Sequence, residues 1–136
     1  MKLVVIDANI IFAALLNPRG TNCDLIFSPV LEFISPEFLE AELKKHLPLI
    51  IQRSGRSEIE VNMALDLILS RIKIIPDLEY ERYRKQAHVF SPDPDDSEYF
   101  AVALKFDCLL WSNDKKLKEQ GKVKVLSTSE LLQILS

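Results

Sequence analysis

Residues Asp93–Leu117 read DPDDSEYFAVALKFDCLLWSNDKKL. Three acids and a proline open the stretch, and a helical pattern runs from Ser97 to about Lys105. A short apolar strand, Cys108–Trp111, leads into the polar turn Ser112-Asn113-Asp114. At about 100° per residue, Phe100 lies about 40° from Asp96, Ala103 about 20°, Tyr99 about 60° and Leu104 about 80°. The Asp96 carboxylate therefore points along the apolar stripe, whereas a surface acid normally sits opposite it. Asp95, about 100° away, stays at the edge of the stripe. An inward carboxylate left alone is too costly to bury. With no Lys or Arg on the same arc, a bound cation is the expected partner.

Working outward, the chain alternates strand and helix. Lys2–Ile6 is a β-branched run ending at Asp7, and helical spacing resumes through Ile10, Ile11, Ala14 and Leu15. A short helix near Thr21–Ser28 precedes a strand at Leu31–Ile34. Ser35-Pro36 reads as a helix start, cap residue then proline, with the helix bent or broken before Pro48. Arg53–Arg56 reads as a loop, and Ser57 with Glu60 as a capping box opening a helix to about Arg71. Ile72–Ile75 is a third strand and Asp77 to about Val89 a charged helix. Beyond the opening stretch, Val123–Leu126 is a last strand and Ser129–Leu135 a terminal helix. This alternation predicts an α/β layered fold with a largely parallel sheet.

In βαβ units the strand carboxyl ends and helix amino ends share one edge, where open sheets bind ligands. Asp7 ends the first strand, Asp114 follows the strand of Trp111, and Asp96 lies in the first turn of its helix. Glu42 joins them by helical phase. It projects about 40° from Phe38 and about 60° from Leu39, inside the apolar arc, while Glu37 and Glu40 point outward. Pattern alone thus selects Asp7, Glu42, Asp96 and Asp114. An oxygen-only set of this kind suits Mg²⁺ or Mn²⁺.

The 136 residues fit one domain, 1–136, with room for a real core. No apolar run reaches the length of a membrane helix. The N-terminal apolar stretch is interrupted by Asp7 and Asn9 and lacks a small-residue cleavage site, so it does not read as a signal peptide. Cys23 and Cys108 form no disulfide framework or zinc pattern, and the expected setting is a reducing cytoplasm. A net charge of −3 gives no broad basic face.

VIDANI at 5–10, SPEFLEAEL at 35–43, DPDDSEYFAVAL at 93–104 and SNDKKL at 112–117 resemble, in order, the successive motifs of PIN-domain proteins. The resemblance implies a three-layer α/β/α sandwich around a five-stranded parallel sheet and an Mg²⁺- or Mn²⁺-dependent ribonuclease. Its acidic quartet falls on Asp7, Glu42, Asp96 and Asp114. Asn9 and Ser112 match supporting positions, with Ser112 where Thr is more usual and Asn113 where Gly is common. Many small members are the toxin half of VapBC toxin–antitoxin pairs, which implies an antitoxin partner. Dimers and tetramers are frequent, which implies a homo-oligomer.

Each residue also has a plainer reading. Asp7 could cap the following helix, and Asp114 could be an ordinary turn residue. Asp93 reads as an N-cap or as support behind the acids. Lys115, Lys116 and Lys118, beside Asp114, are candidates for holding the phosphates of single-stranded or structured RNA, with Arg53 and Arg56 next. Trp111 reads as core rather than a base-stacking platform, and His46 and His88 as surface or partly buried. The alternatives are a catalytically weak or inactive interaction module and an Mg²⁺-dependent phosphatase. The latter wants a second Asp at the position of Asn9.

Overall fold

The computed structural model describes residues 1–136. Five strands form one parallel sheet: β1 (Lys2–Ile6), β2 (Leu31–Pro36), β3 (Ile72–Ile75), β4 (Leu109–Trp111) and β5 (Val125–Leu126). Their order is β3-β2-β1-β4-β5, with Val5 opposite Ile34 and Ile6 opposite Trp111. The central strand β1 thus has its sequence neighbour on one side and the late strand β4 on the other. That reversal of strand order opens a crevice at the carboxyl ends.

Seven helices cover the sheet: α1 (Ala8–Leu16), α2 (Thr21–Ile26), α3 (Phe38–Ser54), α4 (Glu58–Leu69), α5 (Asp77–Phe90), α6 (Ser97–Phe106) and α7 (Thr128–Leu135). The period of two in the strands divides their side chains between two cores. Val4, Ile6, Leu31, Phe33 and Trp111 pack under α1–α4 and α7. Val5, Ile34, Ile75 and Leu110 pack under α5 and α6. Both faces of the sheet are covered, as parallel sheets require, and the expected three-layer sandwich is what forms. No helix is long and apolar enough to cross a membrane.

Two expectations about α3 fail. Ser35 does not cap it; its hydroxyl donates to the Ile6 carbonyl at 2.9 Å. Ser35 and Pro36 finish β2, and the helix begins at Phe38. Nor does Pro48 end α3, which continues to Ser54. Proline inside a helix costs about 3 kcal/mol. Here Leu39, Leu43 and Ile50 of the same helix are buried, each contributing about 1.5–3 kcal/mol, and the exposed Pro48 leaves the freed carbonyl to water. Arg53 and Ser54 therefore belong to the helix, and Gly55, at φ 69°, ends it in the left-handed conformation that glycine adopts freely. The Ser57–Glu60 capping box forms as predicted. The last strand is shorter than expected. Gln120 ties the approach to it into a turn through the Val123 N–H (2.9 Å) and carbonyl (2.8 Å).

Candidate active site

Asp7 stands where β1 becomes α1. It is 3% exposed, and its Oδ1 accepts the Ile10 N–H at 3.1 Å. The plainer reading is thus correct as far as it goes, because one oxygen caps the helix. Burial pushes the carboxyl up to about 6, against the opposing help of the Ser112 hydroxyl and the Ile10 amide; Glu42 and Asp114 raise it further by repulsion. An acid this deep, facing two others, is more than a cap.

Asp96 is set by a device the sequence shows only in outline. Asp93 accepts the Asp95 N–H at 3.0 Å and starts a 3-10 turn, Pro94–Asp96, ahead of α6. The helix α6 starts at Ser97 as the pattern predicts, and Asp96, expected in its first turn, is its N-cap residue, with a side chain that makes no capping hydrogen bond. Burial raises it to about 7, followed by repulsion from Asp93, Asp7, Glu42 and Asp114. Asp95, at the edge of the apolar stripe, is exposed.

Glu42 lies on the inward side of α3 and Glu40 in solvent, as helical phase requires. The Tyr99 hydroxyl of α6 donates to Glu42 Oε1. Burial and the adjacent Glu42 hold the Tyr99 phenol far above its usual range, so it remains a donor. Tyr99 reads from sequence as one more member of the apolar arc. The destination of its hydroxyl, 57 positions away, had no local signal.

Asp114 is exposed and caps a second 3-10 turn, Lys115–Glu119, accepting the Lys116 N–H at 3.0 Å. The turn is held by two neighbours. Ser112, 1% exposed, hydrogen-bonds Asp7 and accepts the Asp114 N–H at 3.1 Å, so one hydroxyl links two of the acids. Asn113 exchanges hydrogen bonds with Thr128 at 2.9 and 2.8 Å, which also receives Trp111 Nε1–H at 3.1 Å. This anchor of the turn to α7 went unread in the sequence. Trp111 is fully buried, in the core as expected.

Four elements thus bring Asp7, Glu42, Asp96 and Asp114 to one edge, the carboxyl ends of β1 and β4. No Lys or Arg forms an ion pair with any of them. No three of them stand as a finished metal-ligand set. The donor chemistry, carboxylate oxygens only, fits a hard divalent cation. Larger hollows lie at the opposite edge, around Met1–Leu3, Phe106 and Lys122–Lys124, and gather no comparable set of acids.

The expected phosphate-binding cations divide. Lys115 and Lys116 are exposed beside Asp114. Lys118 pairs with Glu130, and Arg56 donates to the Leu15 carbonyl at the end of α1; both are committed to structure. Arg53 is exposed near the end of α3. Asn9 is exposed on α1 and faces a cleft shared with His46 and Arg53.

A family model described as the PIN domain matches residues 5–136. The chain is similar in fold to a VapBC2 complex of Rickettsia felis bound to a promoter DNA fragment. That likeness has TM-score 0.65 at 16% identity and covers 92% of this chain and 98% of the other. It is also similar to PAE2754 of Pyrobaculum aerophilum, at TM-score 0.63 and 20% identity over 98% of this chain and 89% of that one. A third similar structure is VapBC-1 of nontypeable Haemophilus influenzae, with TM-score 0.58, 14% identity and coverage of 93% and 98%. No curated protein sequence matches. With a family model spanning all but the first four residues, the chain belongs to the PIN-domain family.

Proposed function

We propose that this protein is a metal-dependent endoribonuclease of PIN type, hydrolysing RNA phosphodiester bonds. The observation that carries the reading is the convergence of four carboxylates from distant parts of the chain on one edge with no protein cation among them. Asp7, Asp96 and Asp114, with Glu42, would hold Mg²⁺ or Mn²⁺. A bound divalent cation supplies charge neutralisation at the phosphate and acidifies the attacking water. The chain's own contribution is placement. Ser112 and the Ile10 amide fix Asp7, and the Asp93 turn fixes Asp96 at the head of α6. Tyr99 fixes one oxygen of Glu42, leaving the other to orient water. No covalent enzyme intermediate is needed. Single-stranded RNA suits an edge site because a flexible backbone can present one phosphate to it.

The test is cleavage of labelled single-stranded RNA in Mn²⁺ and in EDTA, by the wild type and by Asp96→Asn. Cutting confined to wild type with Mn²⁺ is expected. Failure to cut any RNA, together with a melting curve that Mn²⁺ leaves unmoved, would turn the reading toward an interaction module.

The toxin role, with an antitoxin partner, is the second part of the proposal. It draws on the fold likeness to VapBC complexes and on one surface feature. Ile59, Met63 and Leu67 are 72%, 64% and 63% exposed, at four-residue spacing on α4, an apolar stripe of the kind that protein partners cover. Co-expression with the product of the adjacent reading frame, followed by size-exclusion chromatography, tests it. Asp substitution of Met63 should break the complex while leaving the isolated chain folded.

A further inference from the structure

Two clefts meet at His46. One, about 490 Å³, is lined by Phe38, Ala41, Glu42, Lys45, His46 and Asp95 and opens beside the acidic edge. The other, about 330 Å³, lies between α1 and α3 and extends from Asn9 and Phe12 past Leu49 to Arg53. Along α3, His46, Leu49 and Arg53 all fall within about 40° of Glu42, so they form one stripe. From Glu42 to Arg53 that stripe runs about 16 Å, room for a few nucleotides.

The chemistry changes along it from acidic to basic and aromatic. Lys45 and Arg53 are exposed and take part in no ion pair, whereas Lys118 pairs with Glu130 and Arg56 is engaged by the Leu15 carbonyl. The half-buried His46 ring meets Phe12 edge to face, centroids 5.5 Å apart, which fixes a flat ring between the two cations. Lys44, one residue from Lys45, faces the other way, into a separate cleft with Glu40, Leu47 and Leu65.

We propose that the α1–α3 groove is the subsite for the RNA strand adjoining the scissile phosphate. Lys45 and Arg53 hold flanking phosphates, and the His46 ring stacks on a base. The assignment rests on the ribonuclease reading and moves the phosphate contacts from the Lys118 side of the acids to the α3 side. A single strand fits because stacking rings and backbone cations are what sequence-tolerant single-strand binding requires. Nearest the acids only Phe38 and Ala41 are apolar; farther along, the α1–α3 cleft adds Phe12, Leu16, Leu49 and Ile50, which makes an apolar protein segment the competing occupant that the binding test separates from RNA.

Binding of fluorescein-labelled single-stranded RNA, read by anisotropy in Ca²⁺ over a range of salt, tests this. The double variant Lys45→Ala/Arg53→Ala should bind about tenfold more weakly, and its log–log salt slope should fall by about 1.4, two contacts at about 0.7 each. His46→Ala should weaken binding about fivefold, and His46→Phe, which keeps a flat ring, should restore it. Lys44→Ala should match the wild type. Wild-type affinity and slope in the double variant would overturn the groove alone and leave it to a protein segment. A wild type that melts higher in Mn²⁺ yet binds no single-stranded RNA would overturn the ribonuclease reading, and this assignment with it.

Discussion

The protein contains two clusters of acids, and they are solved in opposite ways. Where α5 meets α6, Asp77 and Glu98 share Arg84, at 3.3 and 3.1 Å. Tyr80 donates to Asp77 at 2.7 Å, and the Arg84 guanidinium lies over its ring, 5.3 Å from the centroid. Every charge there has a counter-charge from the chain. At the carboxyl ends of β1 and β4, Asp7, Glu42 and Asp114 accept hydrogen bonds, and Asp96 is placed by its turn alone. No cation pairs with any of the four, and Asp7 and Asp96 are raised to about 6 and 7. Acids with a built-in cation are spent on joining helices. Acids held by donors or by a turn, and denied a cation that would neutralise them, remain available to an outside ion.

That contrast breaks most visibly in activity. Glu42→Gln should lower RNA cleavage by more than about 100-fold, beyond what loss of a supporting partner costs a metal site. Glu40→Gln, on the exposed side of the same helix, and Glu98→Gln, in the paired cluster, should leave it within about twofold. Comparable losses at Glu98 and Glu42 would erase the distinction between the clusters.

Tyr99 sharpens it. Tyr99→Phe keeps the ring, including its edge-to-face contact with Phe38 at 6.3 Å, and removes only the donor to Glu42. Cleavage should fall about tenfold and half-maximal activity should need more Mn²⁺, while the melting temperature changes little. Unaltered metal dependence would mean that Glu42 needs no help from Tyr99.

How much of this was legible beforehand follows from where each cause resides. Asp96 and Glu42 could be picked out because helical phase is local: a carboxylate inside an apolar arc contradicts its surroundings. The sheet was legible because strand and helix periods alternate cleanly. What stayed hidden was every choice between distant partners. Ser35 carries an ordinary cap signal, but the Ile6 carbonyl on the neighbouring strand takes its hydroxyl. Pro48 carries an ordinary break signal, but the packing of Leu43 and Ile50 carries α3 through it. Lys118 and Arg56 look free until Glu130 and the Leu15 carbonyl arrive beside them. Tyr99 and Asn113 are invisible for the same reason, and the stripe from Glu42 to Arg53 because Pro48 reads as a bend or break within it, whereas α3 runs through.

Temperature reads the unpaired cluster directly. Millimolar Mn²⁺ at about 100 times its dissociation constant would add about 2.7 kcal/mol, raising the melting temperature by about 5–10 °C; Asp96→Asn should abolish most of that rise. In EDTA the sign with pH is fixed by the two raised carboxyls. Their folded values, about 6 for Asp7 and about 7 for Asp96, lie above the ordinary 3.8, so the native state binds more protons between about pH 4 and 7. Their stabilising contribution is complete below the ordinary value and lost as pH rises through 6 to 7. The metal-free protein should therefore melt lower at pH 8 than at pH 5, and Asp7→Asn should flatten the trend. Mn²⁺ should reverse it, because the cation needs the carboxylates ionised. A metal-free melting temperature that rises over the same range would contradict the burial assigned to these acids.

The paired cluster should respond to the same measurements in a smaller and different way. Arg84 is 37% exposed, and its partners Asp77 and Glu98 are 54% and 23% exposed. Water screens such pairs, so each contributes at most about 1 kcal/mol, and the contact with Tyr80 adds about 0.5–1 kcal/mol. Arg84→Met, which keeps the apolar stem, should thus lower stability by about 1–2 kcal/mol. The Mn²⁺-induced rise in melting temperature should keep its full size, since none of these groups faces the edge of β1 and β4. Cleavage of RNA should also persist, because Arg84 ties α5 to α6 on the side of the sheet away from α1 and α3. If removing Arg84 instead diminished the response to Mn²⁺, the two clusters would be coupled through α6, which carries Asp96 at its head and Glu98 one residue into its first turn. Helix position, rather than charge pairing alone, would then set the affinity of the acidic edge.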